Sequence, residues 1–496
     1  MSRRVFFYDD EDVQCRHNLH LAPGPVRKLG PATLEPKPHD LQNASVFAGT
    51  VLELPGGGYR LYYSGGHPDQ ERLYRLALAE SEDGVHWTKP DLGQMQYGGG
   101  DTNWLWPEGM PEGVSITQPQ VVRVADDDWR MWTWWHGHDV GRMPFVAARS
   151  EDGIRWRVID LDMPHIMHPA DRELGQNALV AGLTQASTEG KFAHERTMDF
   201  TEAKRLRSND ATYVYYNEQD RRFEMYSVWL IPCDEVSGRR TPHDNAPGVN
   251  RVIHRRESPD GIVWSDPEIL IMPDEHDPMH QEFYYLAVQP DGDWNIGMLG
   301  HYRCWEQTMD LELCFSRDTH HWLRPLRGGW VPRGGTDEID HMSVYATNRL
   351  IDRGGHWLLL YRGGNTPHNY KFRKELPPGV SEARLATMMA EAPKGRFAGL
   401  RATERCVGAL TLKRFNHSAE RITVDAHVRG RLQAELRDQF GRPIAGYELN
   451  SCLPITGDNR SHVLTWEGGR TSVDYRYDVV GLRIEIEDGV LYSVET

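Results

Sequence analysis

Short runs of alternating or continuous apolar residues recur through roughly the first four-fifths of the chain, and turns containing Gly or Asp separate them. The five most regular runs begin at Tyr59, Trp129, Phe223, Trp294 and His356. They are rich in aromatic and β-branched residues, which favour strands over helices. The pattern predicts an all-β protein built from short strands.

A seven-residue pattern, Ser-x-Asp-Gly-x-x-Trp, follows these runs at regular places. It begins at Ser81, Ser150 and Ser258, and a diverged copy that lacks the glycine begins at Ser316. Asp-Gly is typical of a tight turn in which Gly has a positive φ and the Asp carboxylate accepts hydrogen bonds from backbone amides. We expect the Trp that ends each copy to pack between neighbouring sheets.

The repeats divide this part of the chain into five units of four strands, which predicts a five-bladed β-propeller. The fifth unit lacks the turn pattern, and we expect segments 383–387 and 395–400 to supply its outer strands. The step from Trp156 to Trp264 is long because of an insertion at 162–207. We interpret the insertion either as a lid over a pocket or as an oligomer contact, so a homo-oligomer is one expected state.

The pattern changes near residue 405. Segments 421–428, 431–436 and 482–486 alternate with period two, which is typical of antiparallel strands with one buried face. We therefore expect a propeller over residues 1–404 and a C-terminal antiparallel β-sandwich over residues 405–496.

Charge and composition exclude several classes of partner. The formal net charge is −16, which disfavours nucleic acid and anionic membrane surfaces. No apolar run is long enough to span a bilayer, and no apolar segment follows Arg3 and Arg4, so a cytoplasmic protein is expected. Six Cys without a CxxC pair indicate neither a disulfide framework nor a zinc site. The 16 Trp and 20 Tyr suit the binding of sugar rings, although most of the Trp should be packing between blades.

The innermost strand of each blade begins near the central axis, where propellers bind ligands. The expected heads of these strands carry a carboxylate in four blades, and Gln118 in the second blade; the acids are Asp40, Asp210, Glu282 and Asp340. Glycoside cleavage needs converging carboxyl groups, one to donate a proton and one to attack carbon or activate water. These four acids are the catalytic candidates, with an oligosaccharide or glycoside as substrate.

Other polar and aromatic residues near the same heads are expected to contact the substrate. They are His39, Asn43, Gln118, His280, His341, Arg362, His368 and Trp135. The histidines suit hydrogen bonds to sugar hydroxyls, with two alternatives: a divalent metal at the axis, or a His general base as in a lyase. No metal or other cofactor is otherwise expected. Arg362 suits an anionic sugar or phosphate.

The turn series, the five inner strands and the segment Ser81–Gly93 resemble bacterial proteins related to glycoside hydrolase families 32 and 43. Segments 438–447 and 451–455, with Trp466, resemble the sandwich appended to the same proteins. The resemblance implies a furanosidase with an Asp of the first blade as nucleophile or base, a middle Asp as stabiliser, and a Glu as general acid.

The chain departs from that family pattern at the first blade, where it has no Trp-Met-Asn-Asp-Pro-Asn-Gly segment. Asp40 is the nearest acid there, with Glu35 as a fallback, and Asp210 fits the middle Asp by order. We expect Glu282, which lies one blade later than the family's Glu, to be the general acid. Asp210 or Asp340 would be the base or nucleophile, and Asp40 the stabiliser or nucleophile.

Three classes of function follow. A hydrolase of fructofuranosides or arabinofuranosides predicts two carboxyl groups about 5–10 Å apart in an open pocket. Another carbohydrate-active enzyme (a lyase, transglycosylase or phosphorylase) predicts a His or Arg cluster, or a metal, in place of that pair. A non-catalytic sugar-binding propeller predicts carboxylates that are dispersed or already salt-bridged.

Overall fold

The computed structural model describes residues 3–39, 45–70, 73–136, 145–159, 211–232, 249–370 and 374–496. The predicted insertion at 162–207 and three candidate site residues, Asp40, Asn43 and Asp210, lie outside these ranges. Strands dominate the described chain, as predicted, and no helix within it has the length and hydropathy needed to cross a bilayer.

Three four-stranded antiparallel sheets form blades 1 to 3, and blades 4 and 5 share a larger sheet in which a parallel pairing of Met309 with Ser343 joins them. Each blade runs from an inner strand to an outer one. Blade 1 contains Ser45–Glu53, Tyr59–Gly66, Tyr74–Ser81 and Trp104–Leu105. Blade 2 contains Ser115–Ala125, Asp128–His136, Phe145–Ser150 and Arg157–Val158. Blade 3 contains Tyr213–Asn217, Arg222–Pro232, Val249–Ser258 and Glu268–Ile271. Blade 4 contains Gln281–Asp291, Trp294–Arg303 and Thr308–Ser316, with a bridge from Glu312 to Gly329.

Blade 5 contains Ser343–Ala346, His356–Gly364, Leu385–Pro393 and, from the N-terminal part of the chain, Arg27–Pro31. The expectation that 395–400 forms an outer strand of this blade is wrong, because Ala398–Ala402 pairs with Leu19–Pro23 in a different sheet. The outermost position is filled instead by Arg27–Pro31, which pairs with Leu385–Pro393 from Met388 to Glu391. An early and a late segment of the chain thus share one blade.

The repeated turns have the predicted structure. In the first copy, Asp83 Oδ1 accepts hydrogen bonds from the amides of Val85 and His86, at 2.8 and 2.9 Å, and Gly84 has a φ of +75°. The indole of Trp87 donates to the Gly84 carbonyl at 3.1 Å and is buried. Hydrogen bonds from two backbone amides fix the carboxylate, so one Asp side chain defines the turn.

Each turn also packs against the preceding blade. Tyr62 of blade 1 donates to the Gly153 carbonyl of blade 2 at 2.8 Å, and Trp132 of blade 2 donates to Gly261 of blade 3 at 2.8 Å. Gly84 of blade 1 lies against Ile351 and Leu358 of blade 5. The same contact therefore continues from the fifth blade to the first, which closes the ring.

The second compact unit comprises residues 1–26, 323–327 and 392–496. It is an antiparallel β-sandwich whose main sheet includes Thr423–Arg437 and Val479–Glu495, the two longest strands. Shorter strands complete that sheet: Arg4–Phe6, Val13–His17, Leu19–Pro23, Ala398–Ala402, Val407–Leu412, Phe415–Asn416 and Ile455–Val463. The first 26 residues, expected in the propeller, thus belong to the sandwich unit, because their strands pair with late segments of the chain.

Candidate functional site

Glu282 is the second residue of the inner strand of blade 4 and is 3% exposed. Its carboxylate forms an ion pair with Arg251, which is 1% exposed, and accepts a hydrogen bond from Cys304 Sγ at 3.1 Å. The Arg251 guanidinium also lies over two aromatic rings, 5.7 Å from the centroid of Tyr284 and 5.1 Å from that of Tyr302. Two charges are therefore held together in a buried setting at the head of an inner strand.

The ion pair changes the role expected for Glu282. An opposite charge in contact favours the ionised form of a carboxyl group. A general acid must carry a proton, whereas a nucleophile or base must not. The contact with Arg251 therefore suits Glu282 to the role of an ionised nucleophile or base. It argues against the expected role of Glu282 as general acid.

His368 lies beside the same aromatic rings. Its ring centroid is 4.7 Å from those of both Tyr284 and Tyr302, and its Nδ1 is 2.7 Å from the Tyr345 hydroxyl oxygen. The backbone amide of His368 donates to the Gln307 carbonyl, which anchors the backbone at this position. Sequence reasoning placed His368 near the substrate, and the structure places it beside the two tyrosine rings that Arg251, the partner of Glu282, also contacts.

Arg362 completes this group of side chains. Its guanidinium lies over the Tyr345 ring, 5.1 Å from the centroid. Within the described ranges no carboxylate pairs with it, and its Nε is buried without a hydrogen-bond partner. We refer to seven side chains as the aromatic–ionic cluster: Arg251, Glu282, Tyr284, Tyr302, Tyr345, Arg362 and His368.

Asp340 does not join the cluster. It is 1% exposed, forms an ion pair with Lys28 at 2.8 Å and accepts a hydrogen bond from the Tyr361 hydroxyl at 2.8 Å. Burial, together with this carboxylate, raises the pKa of Tyr361 well above its usual value. Successive residues of a strand point to opposite faces, so Tyr361 and Arg362 lie on opposite faces of blade 5.

Two predicted histidines have partners of their own near these heads. His280 Nε2 is 3.0 Å from Glu306, and its ring stacks on Trp305 with centroids 4.6 Å apart. His341 Nδ1 lies 3.2 Å from the carbonyl oxygen of Gly334. No group of three or more His, Cys, Asp or Glu side chains within the described ranges could hold a metal ion.

The remaining described candidates have structural contacts. His39 Nε2 lies 2.7 Å from Asn103 Oδ1 and is buried. Gln118 has a φ of +56° and accepts a hydrogen bond from the amide of Ala211 at 2.7 Å, which ties the heads of blades 2 and 3 together. Trp135 is 4% exposed within the apolar core of blades 1 and 2, so its ring packs there and offers no open face to a sugar.

Sequence reasoning missed Arg251 and the three tyrosines of the cluster. Only the heads of inner strands were considered, whereas Arg251 lies at the start of the third strand of blade 3. The signal was present, because Arg251 directly precedes the buried pair Val252–Ile253. A charged residue at that position needs a buried partner.

Comparison with known proteins gives limited information. No family model matches the chain. The uncharacterized protein Rv1502 of Mycobacterium tuberculosis is 32% identical over 111 residues, which are 22% of this chain and 32% of that protein. The chain therefore matches about a third of the length of this curated relative.

Solved structures with a similar fold include a protein described as a glycoside hydrolase, which is 12% identical with a TM-score of 0.46 over 75% of this chain and 92% of that one. Another is an N-acetylgalactosamine deacetylase from F. plautii, in complex with blood group B trisaccharide. It is 15% identical with a TM-score of 0.44 over 77% of this chain and 97% of that one. At these values the similarities carry no argument about the reaction, and the function must be argued from the residues of this chain.

Proposed function

We propose that the protein is a carbohydrate-active enzyme that cleaves a glycosidic bond at the aromatic–ionic cluster. The observation that carries the proposal is the Glu282 carboxylate, which Arg251 holds in a buried position at the head of an inner strand. Removing two charges from water costs several kcal/mol per ion, and such costly groups concentrate at functional sites. The tyrosine rings of the cluster are buried, whereas His368 and Arg362 are half-buried and offer hydrogen bonds of the kind that sugars bind.

In this proposal Glu282 acts as the ionised carboxylate, either as nucleophile or as base. The proton donor must then be another group. Asp340 does not suit that part, because its carboxylate is already paired with Lys28. Asp210 and Asp40, which lie outside the described residues, remain the predicted candidates for the other carboxyl groups.

A terminal furanoside, of fructofuranosyl or arabinofuranosyl type, is the proposed substrate, and hydrolysis is the proposed reaction. Support comes from the resemblance of the repeated turns and inner strands to glycoside hydrolase families 32 and 43.

A second candidate is a carbohydrate-active enzyme that does not use a pair of free carboxyl groups, such as a phosphorylase or lyase. The described acids near the heads have basic partners: Glu282 with Arg251, Asp340 with Lys28, Glu306 with His280 and Asp310 with Arg333. Arg362, by contrast, has none in the described chain and suits an anionic group of a substrate. A sugar-binding propeller without activity shares the same ion-paired acids.

A panel of aryl furanosides and pyranosides separates these functions, assayed with and without inorganic phosphate. Release of the aryl group without phosphate supports the hydrolase, and release only with phosphate supports a phosphorylase. Saturable binding of glycosides without any turnover supports a sugar-binding propeller. The absence of both turnover and binding across the whole panel would contradict the proposal.

A further inference from the structure

A cavity lies between blades 3 and 4, away from the aromatic–ionic cluster. Its volume is about 560 Å³. Its walls include Tyr215 and Val288 from two inner strands, together with the turns 217–220 and 317–320. Val288 follows Glu282 by six residues on one strand, so the two positions are about 20 Å apart. The cavity is therefore distinct from the proposed reaction site.

The most buried carboxylate of this cavity is already neutralised by donors. Glu224 accepts hydrogen bonds from the Tyr226 hydroxyl at 2.8 Å and from Asn217 Nδ2 at 3.0 Å, and it forms an ion pair with Arg255 at 3.0 Å. It offers little to a further cation.

The other acids in the walls are also paired or lie at the rim. Glu257 forms ion pairs with Arg222 and Arg255, at 2.5 and 2.7 Å. Asp318 accepts hydrogen bonds from two backbone amides of its own turn. Glu218 and Asp220 are exposed to solvent. Each carboxylate in the interior of the cavity thus already has a donor or a cation as partner, so the cavity does not favour a cationic ligand.

Arg349, in contrast to these acids, lacks an ion-pair partner in the described chain. It donates to the Val288 carbonyl at 2.6 Å and lies over the Tyr215 ring, 4.2 Å from the centroid, but no carboxylate of the described chain forms an ion pair with it. Burial lowers the pKa of Arg349, since nearby groups do not fully offset its loss of water. Arg349 is half-buried and has no counterion within the described residues, so an anion in the cavity would be a favourable partner for it.

The other residues that line the cavity indicate which kind of molecule would carry the anionic group. Arg317 brings a second guanidinium, which lies over the Trp294 ring at 4.1 Å. Gln219, Asn295 and Thr319 add amide and hydroxyl groups, the usual partners of sugar hydroxyls. The volume is within the range that accommodates small metabolites.

We propose that this cavity binds a small hydroxylated molecule carrying one oxyanion, a sugar phosphate or a sugar acid, with the oxyanion at Arg349. Guanidinium groups bind phosphate and carboxylate in the same two-pronged geometry, so the shared chemistry is the oxyanion beside hydroxyls. The site is independent of glycoside cleavage at the aromatic–ionic cluster.

Isothermal titration calorimetry with glucose 6-phosphate, glucuronate and glucose tests the proposal. We expect wild type to bind one or both charged probes, and neutral glucose about 10- to 100-fold more weakly. Arg349→Met should weaken the charged probes by a similar factor, whereas Arg353→Met, which alters an exposed residue outside the cavity, should not. Binding of only the phosphate or only the carboxylate probe identifies the source of the oxyanion. Failure of both probes, equal binding of glucose, or unchanged affinity in Arg349→Met would overturn the proposal.

Two further variants guard against misfolding and against binding elsewhere. Asn295→Phe fills the cavity from its wall and leaves Arg349 in place, so it should also abolish binding; unchanged affinity contradicts the location. Glu282→Gln should bind the probes as wild type does, and loss of binding in that variant would place the probe at the aromatic–ionic cluster instead. Because these titrations require no turnover, their outcome is separate from that of the glycoside panel.

Discussion

Glu282 and Arg251 show how one contact decides the chemistry available to a residue. Both side chains are almost fully buried, and they form an ion pair with each other. Burial alone disfavours the charged form of a carboxyl group, whereas a guanidinium in contact favours it. The identity of the partner, more than the burial, therefore supports the proposed role of Glu282 as an ionised carboxylate.

Replacing Arg251 by Met should destabilise the propeller strongly. The change leaves the Glu282 carboxylate buried without its cation, and the loss of one partner of a buried pair costs about 3–5 kcal/mol. Urea unfolding followed by tryptophan fluorescence measures the effect. Arg157→Met is the matched control, because the Arg157–Glu108 pair is exposed and should contribute no more than about 1 kcal/mol. Equal, small losses in the two variants would show that the Arg251 contact is not a buried ion pair.

The repeated turn is the element that joins one blade to the next. Its Asp fixes the turn, its Trp fills the space between sheets, and the carbonyl of its Gly accepts a hydrogen bond from the preceding blade in two of the copies. The turn requires glycine for two reasons: the residue has a positive φ, and the neighbouring blade approaches it closely. The diverged copy at Ser316 has Thr319 in that place, with a φ of +65°.

Gly153→Ala should destabilise more than Gly57→Ala. Both glycines have a positive φ, which costs an alanine roughly 1–2 kcal/mol. At Gly153 the new Cβ would also lie 2.7 Å from the Tyr62 hydroxyl and 2.9 Å from the Trp129 ring, whereas nothing lies within 4 Å at Gly57. Overpacking should add about 1–3 kcal/mol. Thermal or urea unfolding of the two variants compares them directly, and identical losses would refute the close contact between blades.

At the level of the whole chain, a strand from the N-terminal part of the sequence completes the last blade of the propeller. Arg27–Pro31 forms the outer edge of blade 5, and Lys28 on that strand is the ion-pair partner of Asp340. Closure therefore joins early and late segments of the chain in the same blade.

Deleting residues 1–31 should expose blade 5, whereas deleting residues 1–26 should not. The longer deletion removes the strand that pairs with Leu385–Pro393, and the shorter one leaves that strand in place. Hydrogen exchange of the 385–393 backbone amides measures the difference. We expect fast exchange only in the longer deletion; equal protection in both proteins would show that Arg27–Pro31 does not close the ring.

The sequence predicted the features that depend on neighbours along the chain and missed those that depend on distant pairing. The Asp-Gly turns, their buried Trp and the inner strands follow from local pattern, and the structure confirms them. The outer strand of blade 5 could not be predicted locally, because its partner is more than three hundred residues away. Likewise, nothing in the sequence separates Glu282 from Asp340, since both lie at the heads of inner strands and only their distant partners, Arg251 and Lys28, set them apart.

The most direct measurement is the turnover of Glu282→Gln on the best glycoside found with wild type. The account predicts that kcat falls by at least about 100-fold, because the amide cannot serve as nucleophile or base, while the melting temperature shows that the protein still folds. Glu151→Gln, an exposed change in the turn of blade 2, should retain wild-type kcat. Equal turnover by wild type and Glu282→Gln would contradict the assignment of the reaction to Glu282 and the aromatic–ionic cluster.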